Sequence, residues 1–501
     1  MKRAAPSQVV PEGAYHTTFI VLASQHNVKA FLEFRLSIPS KISTVKQVYQ
    51  TRKIAKKKEE IRSILWYYLI TTKNKPKQKG ANPSMAYSIT DTYKMKREIL
   101  NFARNFSGGL SAPNAKFFAD MTYGILASQS CLLTKISHAL QEKTKKAYTV
   151  DRLSDHLKGG INVKAMSAYL NYVRKMVPSE PVVHIDDSDV IKPDGYHFEA
   201  LGIVRDGSKS TTKKCVYAKG YHVTEACVLT DSNHPASIYS RIHSSHEKGF
   251  TSVNHITFEA IDRSVKLLKN ATFVMDRGYD DNKMFQKLWN LEQDFVIRLT
   301  QKRKLFFHGK WVPATKLCAE RKGKVKMNLF YKGKAHEAYI SHVKVQLTAA
   351  KKNVYLVLVY GITEHPMMLV TSKAIRSKDD VVKVARLYFS RWRIEEYFRA
   401  KKQILDFENF RVRSLVSINA LNFHITIAMT FLAQMTRKAA ANALLKSVLD
   451  AARSIKDTVH FLYYRISYGI AEILKYARVG IYDWFKPKRT DQKQLRFRLS
   501  A

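Results

Sequence analysis

Two apolar segments of the chain each run into an aspartate. Val182 to Ile185 is followed by Asp186. Phe273 to Met275, within a strand predicted from Thr272 to Met275, is followed by Asp276. A carboxylate at the end of a buried strand is costly to keep charged unless a cation neutralises it. Two such carboxylates suit Mg²⁺, which prefers a few carboxylate oxygens and open positions for water and phosphate. A pair of cations held in this way can clamp the attacking and leaving oxygens of phosphoryl transfer.

A strand-end aspartate taken singly is more often a turn or helix cap than a metal ligand. Further aspartates stand close to both candidates and leave the choice of carboxylate open: Asp187, Asp189, Asp280 and Asp281. The metal hypothesis therefore depends on a third element.

That element is a long helix, predicted from Val381 towards Gln403 with Asp379 as its cap. At about 100 degrees per residue, four of its side chains fall within one arc of about 60 degrees. They are Tyr388, Arg391, Glu395 and Lys402. An acid, two bases and a phenol on one stripe can place a metal ligand beside groups that bind phosphate oxygens. A solvated charged face, with Glu395 paired within the helix, is the common alternative.

Two adjacent glutamates compete for the role of ligand on this helix. Glu396 lies about 100 degrees round the helix from Glu395. The spacing therefore favours Glu395.

These residues, taken in order, resemble the DDE transposases of the insertion-sequence-4 group, whose signature is this Tyr, Arg, Glu, Lys spacing. The resemblance includes Ile185-Asp186-Asp187-Ser188, then Met275-Asp276-Arg277-Gly278-Tyr279, then a β-rich insertion before the glutamate helix. It covers residues 181 to about 415 and is weak outside them.

The resemblance implies an RNase H-like core in which Asp186, Asp276 and Glu395 are the catalytic metal ligands. Mg²⁺ is the expected ion, and Mn²⁺ can substitute for it. Four further residues would contact DNA at the element end: Tyr388, Arg391, Lys402 and Arg298. Cleavage at that end and strand transfer into target DNA are the implied reactions, carried out by a homodimer bridged by DNA.

Two other functions use the same residues. A different nuclease, such as a resolvase or repair endonuclease, would share the metal ligands without strand transfer. A catalytically dead DNA-binding protein derived from an element would retain DNA contacts alone, although the intact set of three carboxylates argues against such decay.

The net charge points to the same partner. The chain has 85 Lys and Arg against 41 Asp and Glu, a formal charge of +44. Such a surface repels itself unless a polyanion shares it, and DNA is favoured because phosphate contacts release counterions. The longest apolar runs, Ile64 to Ile70 and Ile425 to Met435, fall short of the roughly 20 residues of a bilayer-spanning helix, so no membrane is expected.

The expected compartment is the cytoplasm. The first residues lack the apolar core of a signal peptide. The four cysteines are scattered without metal-ligand or disulfide spacing and are interpreted as small core residues. A cytoplasmic, nucleoid-associated protein is therefore predicted.

The predicted fold class is α/β, an RNase H-like mixed sheet with a β-rich insertion, flanked by helical regions. A helical N-terminal DNA-binding region is expected over 1–178, and the catalytic core over 179–300 and 373–420. The β-rich insertion between them is expected over 301–372, and a helical C-terminal region with a basic tail over 421–501.

Weaker signals lie outside these segments. Thr149 is predicted to cap a helix ending at Gly159-Gly160, with a second helix from Asn162, a pair compatible with either a helix-turn-helix or a plain hairpin. His243 and His246 have the spacing of a zinc pair but are interpreted as surface residues. Trp311 is interpreted as a sheet core residue in preference to a base-stacking one.

Overall fold

The computed structural model describes residues 19–25, 28–34, 89–211, 214–331, 334–437, 443–455, 461–475, 477 and 479–485. The chain divides into two compact units, Met1–Pro83 and Ser84–Ala501. In the first, β1 (Phe19–Gln25) and β2 (Val28–Phe34) form an antiparallel hairpin, so the helical prediction is wrong for these residues. The predicted Lys-rich loop Lys73 to Gly80, the apolar run Ile64 to Ile70 and the basic tail from Lys486 lie outside the described residues.

The second unit is built on one large mixed sheet with helices before, between and after its strands. Its strands are β3 Val182–Ile191, β4 Gly202–Arg205, β5 Tyr217–Leu229, β6 Pro235–His243, β7 Thr272–Met275, β8 Asp294–Arg298, β9 Lys304–Phe307, β10 Lys310–Pro313, β11 Val325–Tyr331, β12 Lys334–Leu347, β13 Lys352–Tyr360 and β14 Met367–Thr371. Its helices are α1 Ile89–Ser107, α2 Ala112–Ser128, α3 Leu133–Leu140, α4 Lys146–Lys158, α5 Val163–Arg174, α6 Val253–Leu267, α7 Asn282–Asn290, α8 Ala314–Ala319, α9 Lys378–Ser390, α10 Trp392–Ile404, α11 Leu415–Arg437, α12 Ala443–Ala451 and α13 Leu462–Lys475.

The centre of the sheet has the predicted RNase H-like arrangement. β3, β7 and β8 run parallel side by side, and β5 pairs antiparallel with the other edge of β3. All four residues of β7 are buried, as expected for a strand covered on both faces. Because residues two apart point to the same face, Val274 and Asp276 lie on the side covered by α9, where Val274 packs with Val381 and Val384.

The β-rich insertion continues this sheet. β14 pairs with β8, and β13, β12 and β9 follow in order towards the edge. The short helix α8 is not predicted from the sequence. Four of the strands follow strand-like runs of the sequence: Val325 to Tyr331, Glu337 to Val345, Asn353 to Tyr360 and Met367 to Thr371. The insertion is therefore hydrogen-bonded to β8, the strand next to β7, whose last residue precedes Asp276.

The predicted long helix is in fact two helices. α9 ends at Ser390 and α10 begins at Trp392, with Arg391 between them. The N-cap of α9 is Ser377. The Ser377 hydroxyl accepts from the Asp380 backbone N–H, and the Asp380 carboxylate accepts from the Ser377 backbone N–H, which together form a capping box. Asp379 is therefore not the cap, and Arg391 lies at a break that helical periodicity alone cannot indicate.

α11 forms much of the core behind the sheet. It is long and apolar enough to cross a bilayer, with mean hydropathy 1.5, but 89% of that stretch is buried within the fold. Asn422 donates to Ser240 Oγ at 2.8 Å, and Asn419 exchanges hydrogen bonds with the backbone of Ile242. The helix is longer than its apolar run predicts, and these bonds dock it against β6.

The N-terminal helices of this unit follow the prediction in outline. α4 ends at Lys158 with Gly159 as its C-cap. Asn162 caps α5, and its side chain accepts from the backbone of Lys164 and Ala165. Thr149 lies inside α4, where it donates to Glu142 at 2.9 Å, so its predicted capping role is wrong. Whether this pair of helices reads DNA stays a prediction.

Two further interpretations are corrected by burial. His243 is fully buried in β6 and shares a 2.9 Å hydrogen bond with Thr224, so it is not a surface residue. Cys131, Cys227 and Cys318 are buried as predicted, but Cys215 is exposed.

Candidate active site

Asp186 and Asp276 lie side by side. The residues before them, Ile185 and Met275, are paired in the parallel ladder of β3 and β7. Asp186 continues β3 while Asp276 follows the last residue of β7. Parallel strands therefore bring the two carboxylates to one edge, on the face covered by α9.

Arg391 ties the third carboxylate to this edge. Its Nη1 donates to Asp186 Oδ2 at 3.0 Å, and its Nη2 donates to Glu395 Oε1. One guanidinium thus holds Asp186 and Glu395 together, although they are 209 positions apart in the chain. The Tyr388 hydroxyl donates to Asp276 Oδ1 at 3.2 Å, so the end of α9 contacts the second aspartate as well.

The neighbouring acids have other partners. Asp187 points to the opposite face of β3, where it accepts from Thr224 at 2.5 Å and Tyr279 at 2.8 Å. Asp280 is buried and paired with Arg303, and Asp281 caps α7. These structural roles distinguish them from Asp186 and Asp276, an ambiguity that the sequence left open.

The two glutamates of α10 also differ. Glu395 shares the guanidinium of Arg391, whereas Glu396 accepts from Trp392 Nε1 at 3.3 Å. Geometry therefore brings Glu395, and not Glu396, to the aspartate pair.

The predicted DNA contacts lie at different distances from this centre. Lys402 donates at 2.6 Å to the backbone carbonyl of Asp189, which lies further along β3 than Asp186. It also pairs with Glu408 at 3.1 Å. Arg298 ends β8 and is close enough to Tyr388 to act on its hydroxyl electrostatically. Burial raises the pKa of Tyr388 to about 12 and Asp276 adds to the rise, while Arg391 and Arg298 oppose it.

Burial also perturbs the ionisation of the central groups. It raises the pKa of Asp186 to about 7, opposed by Arg391 and reinforced by the carboxylates of Asp187, Asp276 and Glu395. Burial disfavours the charged form of Arg391 too, but Asp186, with smaller contributions from Tyr388 and Glu395, holds its pKa above the ordinary value. Strongly perturbed pKa values of this kind cluster at functional sites.

Two supports of the site were not predicted from the sequence. His184 is fully buried on the same face as Asp186, and its Nε2 lies 2.9 Å from Ser390 Oγ. Because Ser390 gives its hydroxyl proton to the Leu387 carbonyl at 2.6 Å, His184 is the donor. The bond fixes the end of α9 next to Arg391. The sequence held one signal for this role: His184 lies two residues before Asp186 in the same strand, so both side chains point to the same face.

The second support is a buried ion pair beneath α10. Lys401 Nζ lies 2.9 Å from Glu225 Oε2, and both side chains are fully buried. Ser240 donates to the same carboxylate oxygen at 3.0 Å. Glu225 is the ladder partner of Asp186 in β5, so the pair docks the glutamate helix directly behind the candidate site.

The remaining candidates stand apart from this centre. Trp311 is 45% exposed in β10, against the predicted core role. Throughout the described residues, no three His, Cys, Asp or Glu side chains converge closely enough to ligate one ion in this conformation. The guanidinium of Arg391 lies between Asp186 and Glu395 instead.

Comparison with known families agrees with this geometry. The family model described as the transposase DDE domain matches residues 181–431, which is half of the chain and includes all three carboxylates. A search of curated proteins found no match. Families of this kind act on DNA and generally use divalent metal ions. The chain belongs to the DDE transposase family.

Proposed function

We propose that this protein cuts DNA at the ends of a mobile element and joins the freed ends to target DNA, as a transposase of the insertion-sequence-4 group. The observation that carries the proposal is the convergence of Asp186 and Glu395 on one guanidinium, with Asp276 beside Asp186. Asp186, Asp276 and Glu395 are the proposed ligands of Mg²⁺, with Mn²⁺ as a substitute.

The donor set fits such ions. Three carboxylates supply the hard oxygen ligands that Mg²⁺ prefers. In this conformation the positive charge that balances the carboxylates comes from Arg391, whose guanidinium lies between Asp186 and Glu395. When bound, divalent cations would activate the attacking water and neutralise charge on the leaving oxygen.

The chain's own residues would position the DNA. Arg391 is only 12% exposed at its side chain and can exchange its carboxylate partners for a phosphate, whose two non-bridging oxygens can accept from both Nη atoms. Tyr388 and Arg298 would contact the same DNA strand beside Asp276. Lys402 would contact the DNA backbone at a point further along β3. Residues 1–178 are proposed as a DNA-binding region, and a DNA-bridged homodimer would hold two ends together.

Incubation with candidate element ends and Mg²⁺ or Mn²⁺ tests the function. We expect cleavage at the tip of the element, followed by products in which that tip is joined to target DNA, because a freed 3′ hydroxyl can serve as the next nucleophile. Cleavage without joined products would indicate a nuclease instead. Retention of DNA without cleavage would indicate a binding protein derived from an element.

Replacing Arg391 with Ala should strengthen metal binding in the absence of DNA. The change removes the resident cation from Asp186 and Glu395. Unit charges at such distances interact by about 1 to 4 kcal/mol, so Mn²⁺ affinity should rise by about tenfold or more. Titration calorimetry with Mn²⁺ and the free protein measures this.

Arg386 provides the matched control for this titration. It is an exposed arginine on α9, the helix that ends just before Arg391, and its replacement by Ala should leave Mn²⁺ affinity unchanged. An Arg391→Ala protein that binds Mn²⁺ no better than wild type would refute the stand-in role.

A further inference from the structure

The sheet ends in an open two-stranded ribbon that the candidate site does not use. β4 (202–205) and the start of β5 (217–220) form it, and we name it the β4–β5 ribbon. Ile203 pairs with Lys219 and Arg205 with Tyr217, so all four point to one face. That face is open to solvent, with Ile203 65% and Tyr217 64% exposed.

The opposite face fixes the ribbon in place. Gly202, Val204 and Gly220 are buried. Gly220 of β5 is the ladder partner of Gly202 in β4 on one side and of Ile191 in β3 on the other. A Cβ on Gly220 would lie 2.3 Å from the Val190 carbonyl oxygen, which is closer than any real contact. The missing side chain at Gly220 therefore lets β5 lie close to β3, while the outer face of the ribbon stays in solvent.

The surroundings of the outer face are basic and aromatic. Tyr196 is 74% exposed, and Lys219 Nζ lies 4.1 Å from its ring centroid. Exposed Lys209 and Lys214 stand in the segment that joins the two strands. Asp206 in that segment is turned inward, accepting from Ser208 and the Lys209 backbone.

A second basic segment borders the ribbon. Arg411 and Arg413 are exposed, and the Arg413 carbonyl accepts from the Glu199 backbone just before β4 at 3.0 Å. Two exposed carboxylates, Asp194 and Glu199, lie in the same region, and the exposed cations outnumber them. The charge of this surface is complementary to a polyanion.

The ribbon also lies in line with the candidate site. Asp186 and Ile191 are both on β3, five residues apart, and Ile191 pairs with Gly220. At about 3.3 Å per residue, the ribbon begins roughly 17 Å from Asp186, which corresponds to roughly five base pairs of a duplex.

We infer that the β4–β5 ribbon binds duplex DNA on one side of the cleavage position. This inference rests on the proposed function. A two-stranded ribbon fits the major groove, Arg205 and Lys219 pair with phosphates on its flanks, and the Tyr217 hydroxyl donates to the backbone. Ile203 packs against the sugar and base edges between them.

A salt titration tests the ribbon directly. The double variant Arg205→Gln, Lys219→Gln is compared with Lys266→Gln, Lys269→Gln, which removes the same charge from two exposed residues at and after the end of α6. A random-sequence duplex of about 40 base pairs in EDTA is the probe. Because each phosphate contact contributes about 0.9 to the slope of log K against log salt, the ribbon variant should lose nearly two from that slope. The control should keep the wild-type slope.

A second measurement does not depend on the folding of the charge-removing variants. Benzoylphenylalanine in place of Ile203 should crosslink to duplex DNA on irradiation, and the same group in place of Val479 gives the background. A ribbon variant whose slope equals that of wild type or falls no more than that of the control overturns the inference. So does crosslinking to a second copy of the chain in place of DNA.

The failures of the two proposals are distinguishable. Binding in EDTA reports the ribbon without any chemistry. Wild-type protein that fails to cleave in Mg²⁺ while the ribbon variant still loses slope would refute the proposed reaction and leave the ribbon assignment standing. Cleavage with an unchanged slope would do the reverse.

Discussion

Glu395→Gln should abolish DNA cleavage while DNA binding persists. The amide keeps the size of the side chain but removes the charge that the proposed ions need. Even outer partners of a bound metal are worth about 10- to 100-fold in activity, so a lost ligand should cost at least about 100-fold. Cleavage rates in Mg²⁺, measured with retention of the same DNA in EDTA, check this expectation.

Glu396→Gln is the matched control for that experiment. Its carboxylate accepts from Trp392 and not from Arg391, so cleavage should stay within about twofold of wild type. The change removes no charge from the aspartate pair and weakens only one partly buried hydrogen bond, which is worth about 1 kcal/mol of stability. Equal losses in the two variants would contradict the choice of Glu395 as ligand. Loss of DNA binding in Glu395→Gln would point instead to a defect in folding or assembly.

Lys401→Met should destabilise the protein strongly. It leaves Glu225 buried without its cation, and removing one partner of a buried ion pair typically costs about 3–5 kcal/mol. The free energy of unfolding from urea titration of the sheet-containing unit measures this. Because the pair docks α10, the variant should also cleave DNA more slowly at temperatures well below its unfolding transition.

Two further variants separate charge from packing at this pair. In Glu225→Gln, Lys401→Met no charge is left unpaired, so most of the lost stability should return. Lys402→Met, at the next and partly exposed position, should change the unfolding free energy by no more than about 1 kcal/mol. Equal destabilisation by Lys401→Met and Lys402→Met would show that the buried pair has no special role.

The strands that carry the aspartates were predictable because burial dictates their composition. Three of the four residues from Val182 to Ile185 are apolar, and such a run has one stable environment, the covered centre of a parallel sheet. β7 was predicted with its observed bounds for this reason. Which aspartate of each group faces α9 follows from alternation, but only once the ladder fixes the register.

The break at Arg391 could not be predicted. The residues on both sides favour helix, no Pro or Gly interrupts them, and periodicity continues through the break. The break depends on tertiary contacts: His184 fixes Ser390 at the end of α9, and Arg391 itself pairs with Asp186. The predicted single arc of four residues therefore stands on two helices, although Tyr388, Arg391 and Glu395 still reach the aspartate pair or each other.

The buried ion pair was missed for a related reason. Glu225 stands in an apolar strand and Lys401 in a charged helix, and nothing in their local patterns pairs them. Burial of a lysine becomes visible only when a distant carboxylate is placed against it. Long-range contacts of this kind are the part of a site that local sequence patterns describe least.

The place of the insertion in the sheet bears on how DNA would be handled. Leu369 of β14 is the ladder partner of Arg298, the last residue of β8, so the insertion and the strands beside Asp276 share a continuous set of backbone hydrogen bonds. A segment attached in this way cannot swing on a linker as an independent arm. Any nucleic acid that it grips is held at a fixed span from the scissile bond, and the substrate itself must bend wherever the two surfaces are not aligned.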